Sequence, residues 1–471
     1  MNINTNIQSA TSKPKQPDTQ KNIYMTIWRW HFYAGILFAP LIIFLAITGA
    51  VYLFKPQLEN YMYHNLFYVQ ENEEKIATTD QIFEVKKQYP NAVITSFTPS
   101  FEANRTAVVE MKDYGENVSV YVNPYNGEII GTLYEKDRFM AFVNDMHNGE
   151  LWGGTFGNRL VELAACWAVI LVISGIYLWW PRHKKSIFGT IIPRIRLLKG
   201  KRMFWRDIHA VTAFWLSFFI IIQLISGLMW SGVWGNMANK FVAKTGAGSP
   251  VGIQPWESHA FPESTIPTKD IADVPWAAEN LPVPKSGDGV TPISIENVIE
   301  TVENEHVHPG YKIVFPQSKT GVYTAFLDPA NVYPNRPMPS AQRTLHIDQY
   351  NGDILANLGW KDYGTLGKIV TLGIAFHQGE FGFISQLFIL ALVIGMILIA
   401  VTGFIMWWKR RPKGKFGAPP KQEHRKLLKG VAAIVLVLSI FFPLVGLSLI
   451  FVFALDWLIT KRIPKLKQWI G

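Results

Sequence analysis

Five apolar runs dominate this chain and leave it few folds to choose from. They cover Phe32–Phe54, Leu160–Trp180, Ala210–Trp230, Phe383–Trp408 and Val431–Trp457. Each is long enough as a helix to cross a hydrocarbon core of about 30 Å, which takes roughly 20 residues. Lipid offers no water to bond backbone N–H and C=O groups, so such runs must close their own hydrogen bonds as helices. A mostly polar stretch precedes the first run, and no small-residue cleavage site follows it. That run is therefore expected to remain in the membrane as an anchor. Pro443, near the centre of the fifth run, allows a kink or a re-entrant hairpin; one crossing is the expectation carried forward.

Charge orients the spans. The chain holds 45 Lys and Arg against 35 Asp and Glu, or +10 in all, but the sign is unevenly distributed. Residues 55–150 carry −7 and residues 231–382 carry −5, while everything else carries +22. The short loops 181–209 and 409–430 hold nine Lys/Arg each, among them Arg182, Lys184, Lys185, Arg196, Lys199 and Lys201. Short loops rich in Lys and Arg stay in the cytoplasm, so the N-terminus is expected inside and both long acidic loops outside. The basic total thus reports topology and gives no reason to expect a nucleic-acid partner. The single cysteine, Cys166, excludes a disulfide framework, a CxxC redox motif and Cys-ligated clusters. Redox or metal chemistry would rest on the 11 histidines.

The spans repeat. His31 precedes Thr48-Gly49 by the interval at which His209 precedes Ser226-Gly227, and each follows a Trp-Arg pair, Trp28-Arg29 and Trp205-Arg206. His147-Asn-Gly-Glu150 leads to Ser174-Gly175 and Trp179-Trp180, as His377-Gln-Gly-Glu380 leads to Thr402-Gly403 and Trp407-Trp408. The chain reads as two copies of span, outer domain, span, followed by a fifth span. Each outer domain reads as small and α+β. The first has a helix at Asp80–Gln88 and strands at Ala92–Thr98, Thr106–Lys112 and Ser119–Tyr121. The second has a helix at Ile295–Asn304 and strands at Tyr311–Phe315 and Val322–Leu327. Both end in Tyr-Asn-Gly-[Glu/Asp]-Ile, a turn whose glycine can take positive φ before a further strand.

The endings YVNPYNGEII and HIDQYNGDIL resemble the strand-turn-strand end of a PepSY domain. Two such endings, alternating with spans of the form H…[ST]G and HxGE…[ST]GxxxWW, resemble the PepSY-associated transmembrane family over about residues 26–460. The stretch from Trp276 to Ser286 is similar to the family's segment before its second PepSY unit. The resemblance implies an α-helical membrane protein: a four-helix bundle from a duplicated two-span unit plus a fifth helix, with two extracytoplasmic α+β PepSY domains. The order would be a cytoplasmic tail (1–26), the first span (27–55), PepSY domain 1 (56–146) and an interfacial segment with the second span (147–181). A basic loop (182–206), the third span (207–231) and an outer region with PepSY domain 2 (232–365) follow. The chain would end with an interfacial segment and fourth span (366–408), a second basic loop (409–429), the fifth span (430–458) and a tail (459–471). The family's inner-membrane members include iron-regulated proteins and ferric-siderophore reductases that carry haem b between histidines of a helical bundle. The implied setting is a bacterial inner membrane, with PepSY domains in the periplasm.

Read for their own chemistry, four matched histidines at span ends could hold two b-type haems. Each haem needs one neutral imidazole from each of two facing helices. His31 and His209 would form one pair near the inner surface, and His147 and His377 a second at the outer interface. Arg29, Arg206 or Arg159 could pair with propionates, and the [ST]-G steps would let helices or a porphyrin approach closely. Interfacial histidines also commonly just cap or snorkel, and the matched pairs are what weigh against that reading here. His64, His183, His259, His306, His308, His346 and His424 lack partners at ligand spacing; His306-Val-His308 could bind a metal on a strand but reads better as solvated loop. Arg159 and Glu162 read as an ion pair one turn apart. No Rossmann or phosphate-loop motif offers a nicotinamide, flavin or nucleotide site.

The leading expectation is a haem b electron-transfer protein, with about two haems per chain, that reduces a ferric chelate such as a ferric siderophore outside the membrane. The donor would be a quinol or a cytoplasmic reductase. The outer surface around Trp234, Trp256 and Trp276 is a candidate docking region. A cofactor-free PepSY protein that binds or restrains an envelope peptidase is the alternative, and a transporter is a weaker third.

Overall fold

A computed structural model describes residues 19–181, 187–194, 202–245, 266–420 and 425–462. His183, His259, His424, Trp256, Lys421 and the loop cations Arg182, Lys184, Lys185, Arg196, Lys199 and Lys201 lie outside the described residues.

The helical elements are α1 (Thr19–Tyr52), α2 (Lys55–Met62), α3 (His64–Phe67), α4 (Thr78–Gln88), α5 (Phe139–Asn148), α6 (Thr155–Trp179), α7 (Arg202–Leu228) and α8 (Trp234–Thr245). They continue with α9 (Ile295–Asn304), α10 (Thr365–Gln378), α11 (Phe383–Arg410), α12 (Arg425–Phe441) and α13 (Pro443–Arg462). Among the described residues, α1, α6, α7 and α11 are long and apolar enough to cross a membrane. Pro40 sits inside α1; neighbouring groups in a membrane helix can take up the backbone bond it removes.

The fifth span departs from the single helix expected over Val431–Trp457. Pro443 has no N–H and its ring clashes with the preceding turn, so α12 ends at Phe441 and α13 begins at Pro443 in the first-turn position that tolerates proline. The chain turns tightly there: a Cβ on Gly446 would come within 2.5 Å of Ser439.

The chain divides into two compact units. One comprises residues 1–39, 170–214 and 401–471, and the other comprises residues 40–169 and 215–400. The second unit contains the sheet. Its eight strands run β1 (Val93–Thr98), β2 (Ala107–Asp113), β3 (Glu116–Val122), β4 (Ile129–Tyr134), β5 (Lys312–Val314), β6 (Val322–Leu327), β7 (Arg343–Asp348) and β8 (Ile354–Gly359). The sequence leads one to expect two separate sheets. The strands instead form one antiparallel sheet in the order β4-β3-β2-β1-β5-β6-β7-β8, joined where Ser96 faces Val314 and Phe97 faces Ile313. Joining them removes two exposed sheet edges.

One face is apolar and carries both helices. In α9 the Ser294 hydroxyl caps the Asn297 N–H at 3.2 Å, and Ile295, Val298 and Val302 fall on one stripe against Ile313, Ala325, Leu345 and Ile347. Val85 of α4 packs likewise on Phe97, Val109 and Val120. Glu296 of α9 accepts from the backbone N–H and hydroxyl of Thr79 at 2.7 and 2.9 Å, tying the two helices together. The Tyr-Asn-Gly turns form as expected, with Gly127 at φ 76° and Gly352 at φ 79°. Each is braced by an Asn side chain accepting from the N–H two residues on, Asn126 to Glu128 and Asn351 to Asp353.

Alternate residues of the same strands, including Glu110, Ser119, Tyr121, Lys312 and Phe326, line a cleft of about 1070 Å³ on the sheet. Lys312 meets Glu110 at 2.6 Å across the join of the strand sets. Burial alone would raise the Glu110 carboxyl, but Lys312 and Ser96 outweigh it and hold it below the usual range.

Candidate functional site: four seated histidines

Each of the four matched histidines rests on an [ST]-G step of another helix, and the pattern is the same four times. In the first unit His31 of α1 places Nδ1 2.8 Å from Ser174 Oγ on α6, and His209 of α7 places Nδ1 3.3 Å from Thr402 Oγ1 on α11. In the second unit His147 of α5 lies 3.0 Å from Thr48 Oγ1 on α1, and His377 of α10 lies 3.4 Å from Ser226 Oγ on α7. The glycine after each hydroxyl leaves room for the ring. A Cβ added at Gly175, Gly403, Gly49 or Gly227 would lie 3.3, 3.5, 3.1 or 2.6 Å from the corresponding imidazole Cε1. The steps expected to admit close helix or porphyrin approach thus serve first as imidazole seats.

The helices that carry the second-unit histidines end where the sequence dictates. Gly149 after α5 and Gly379 after α10 take left-handed φ of 86° and 67°, which stops each helix just past its histidine. Burial holds His147 down to about 4, with the nearby His377 adding to the effect, and burial likewise holds His377 below the ordinary imidazole range. Both rings are neutral at pH 7, as metal ligation requires. His377 is further held by Gln223, whose carbonyl oxygen lies 2.8 Å from Nδ1 and whose amide donates to the His377 carbonyl at 3.1 Å. Trp230 abuts its ring at 5.8 Å.

In the first unit the His31 and His209 ring centroids are 6.5 Å apart, with planes at 89°. Two imidazoles bound through Nε2 on opposite sides of one metal, each at about 2 Å, put their centroids about 6 Å apart. The pair therefore has a spacing that suits two imidazoles sharing one bound group, and its hydroxyl contacts lie at Nδ1. The residues present fit a group held between two imidazoles.

The three arginines are placed as follows. Arg206 and Arg194 both bind the carboxylate of Asp207, Arg206 at 2.6 Å and Arg194 at 2.7 and 2.9 Å, and Asp207 is buried. Arg29 donates to the Pro419 carbonyl and lies over Tyr33. Arg159 lies 3.6 Å from Glu162, but that carboxylate does more than pair with it. Glu162 is 1% exposed and accepts from the Val233 and Trp234 N–H groups at 2.9 and 2.8 Å, capping the start of α8. Of the other histidines, His346 is buried in β7 against Thr324 at 3.0 Å, whereas His306 and His308 are exposed and each turns Nδ1 to a local carbonyl.

Sequence reasoning missed Gln223, Asp207 and the capping role of Glu162. Gln223 had a usable signal, a polar residue one turn before Ser226 in an apolar span. Asp207 had one too, since an acid beside Arg206 at a span's basic end is out of place.

Long apolar helices, half-buried histidines resting on hydroxyl-glycine steps and a separate antiparallel sheet define a helical membrane protein with an extra domain. The chain belongs to the PepSY-associated TM region family, whose model matches residues 28–410. Among curated proteins no match is found.

Proposed function

We propose that the protein is an inner-membrane electron carrier that holds two b-type haems, one between His31 and His209 and one between His147 and His377, and reduces a ferric chelate at the periplasmic face. The observation that carries this reading is the fourfold repeat of one seat, in which Nδ1 meets a Ser or Thr hydroxyl of another helix and the glycine after that hydroxyl makes room for the ring. A helix-capping or snorkelling histidine needs no such seat. Haem would supply reversible one-electron chemistry. The chain's residues would orient four imidazoles through their hydroxyl contacts and balance charge nearby. Arg29, Arg206 and Arg159 remain the candidate partners for propionates.

Two PepSY domains then form the outer sheet, and the duplicated span unit supplies the two histidine pairs. The cleft of about 1070 Å³ lies in the unit that holds His147 and His377 and has the size of a small-molecule site. Reduction of a chelate there to Fe(II) loosens hard oxygen ligands that prefer Fe(III), which suits iron acquisition from a siderophore. Electrons would come from a quinol or a cytoplasmic reductase on the basic inner side.

The test is an absorption spectrum of the detergent-purified protein from haem-replete cells, oxidised and dithionite-reduced. Low-spin b-type bands at about two haems per chain, halved in His31→Ala and in His377→Ala, are expected. A colourless preparation overturns the reading and leaves the envelope-partner alternative standing.

A further inference from the structure

Three of the four seats, at Ser174, Thr48 and Ser226, share a hydrogen-bond polarity as well as a shape. Ser174 Oγ donates to the Leu171 carbonyl of its own helix at 3.2 Å. Thr48 Oγ1 donates to Phe44 and Leu45 at 3.1 and 3.2 Å, and Ser226 Oγ to Ile222 and Gln223 at 2.7 and 3.1 Å. Bonding back to a carbonyl one turn earlier is the usual habit of a helical Ser or Thr. A hydroxyl has one proton, and once a helix carbonyl takes it only lone pairs face the imidazole. Nδ1 must then be the N–H, which leaves Nε2 with a bare lone pair. At His377 the same tautomer follows independently, because the Gln223 carbonyl at 2.8 Å can only accept.

Resting on the haem reading above, we propose that Ser174, Thr402, Thr48 and Ser226 are positioning residues that fix the Nδ1–H tautomers of His31, His209, His147 and His377 and tune how strongly each Nε2 donates to haem iron. The pairing of a hydroxyl residue with glycine then has one physical explanation. The hydroxyl orients Nδ1, and the missing Cβ beside it admits Cε1. An imidazole whose second N–H is bonded is a more basic ligand, and a more basic ligand favours ferric iron. Loss of the hydroxyl should therefore raise the midpoint potential of the haem it serves. The seats also rank. His31 has the shortest hydroxyl contact, 2.8 Å, whereas His377 keeps the Gln223 carbonyl when its 3.4 Å hydroxyl contact is lost.

The experiment is optical potentiometry and low-temperature EPR of ferric wild type, Ser174→Ala, Ser174→Thr and Ser226→Ala, with haem content measured in parallel. In Ser174→Ala one haem should shift toward the ferrous state by about tenfold, equivalent to about 59 mV for a one-electron couple, with altered low-spin g values. Ser174→Thr should match wild type and Ser226→Ala should move less. Haem loss in Ser174→Ala that Ser174→Thr restores also supports the proposal; haem loss in both overturns it. A haem-replete wild type with unchanged potentials and g values in Ser174→Ala refutes the tautomer role alone. A colourless wild type refutes the haem reading and this inference with it.

Discussion

Replacing the seat glycines one at a time by alanine gives a graded perturbation that the geometry ranks in advance. Ordinary contact begins near 3.4 Å. The new methyl would be unstrained at Gly403 (3.5 Å), nearly so at Gly175 (3.3 Å), tight at Gly49 (3.1 Å) and impossible without movement at Gly227 (2.6 Å). At Gly227 the His377 ring must retreat by about 0.8 Å, which draws Nδ1 away from the Gln223 carbonyl one turn earlier on the same helix. A metal–ligand bond tolerates about 0.2 Å, so the displaced imidazole cannot ligate and haem affinity at the second pair should fall at least about tenfold. Helix propensity pushes the other way, because alanine in a helix interior is favoured over glycine by about 1 kcal/mol. Gly227→Ala should therefore fold and yet lose one haem, while Gly403→Ala should keep both and gain slightly in thermal stability. Haem per chain and detergent-micelle melting curves for the four variants check this. Full haem in Gly227→Ala, or an equal loss in all four, would refute the claim that the glycines are seats.

Glu162→Ala leaves two half-buried N–H groups at the start of α8 without their acceptor and should destabilise by about 1 kcal/mol, with Glu162→Gln intermediate; melting midpoints report it. Asp207→Ala frees Arg194 and Arg206, so trypsin should cut near Arg194 markedly faster than in wild type. Glu380, 4% exposed, is pushed to about 7 by burial and by Asp328, against the pull of Arg336 and Lys55. A carboxyl raised on folding favours the protonated native state, so stability is full below about pH 4.5 and falls by about 3 kcal/mol as pH rises through 7. Glu279, also raised to about 7 by burial and Asp273, adds to that slope. Melting midpoints at pH 5 and pH 8 should differ less in Glu380→Gln and least when Glu279→Gln is added; an unchanged difference counts against the assignment.

Much of the architecture is legible in the chain because lipid imposes length and polarity rules that leave long runs. The four helices over Ile23–Tyr52, Thr155–Trp179, Met203–Leu228 and Phe383–Arg410 follow directly. The Tyr-Asn-Gly turns are legible because a tight turn demands a residue tolerant of positive φ. The joined sheet was not, since β1 and β5 meet through backbone bonds that any residue can make, and their side chains carry no mark of a partner. The connection between β6 and β7 was also hidden. Its counterpart between β2 and β3 is a tight turn at Tyr114-Gly115, whereas residues 328–342 make two 3-10 turns of proline-rich chain. At the site, the four histidines could be paired by spacing, but their seats could not, because a Ser-Gly step in an apolar helix reads equally well as a helix-packing notch.

The seats and the pairs relate the two matched halves of the sequence in different ways, and under the proposed function this bears on why the histidine motifs occur twice. His31 and His147 rest on Ser174 and Thr48 of their own half of the sequence, and His209 and His377 on Thr402 and Ser226 of theirs. The histidines that sense one another come from opposite halves: the His31 and His209 rings lie 6.5 Å apart, and His147 feels the charge of His377. One half therefore contains everything needed to orient two imidazoles and nothing to complete either pair. A bis-imidazole site needs two ligands for one metal, so under the proposed function two halves would produce two complete sites where one would produce none. Disturbing a single seat should then misplace one ligand of one pair and leave the other pair intact. Gly227→Ala should accordingly remove one haem's spectrum while the other titrates as in wild type; loss of both haems together would show that the pairs are not independent.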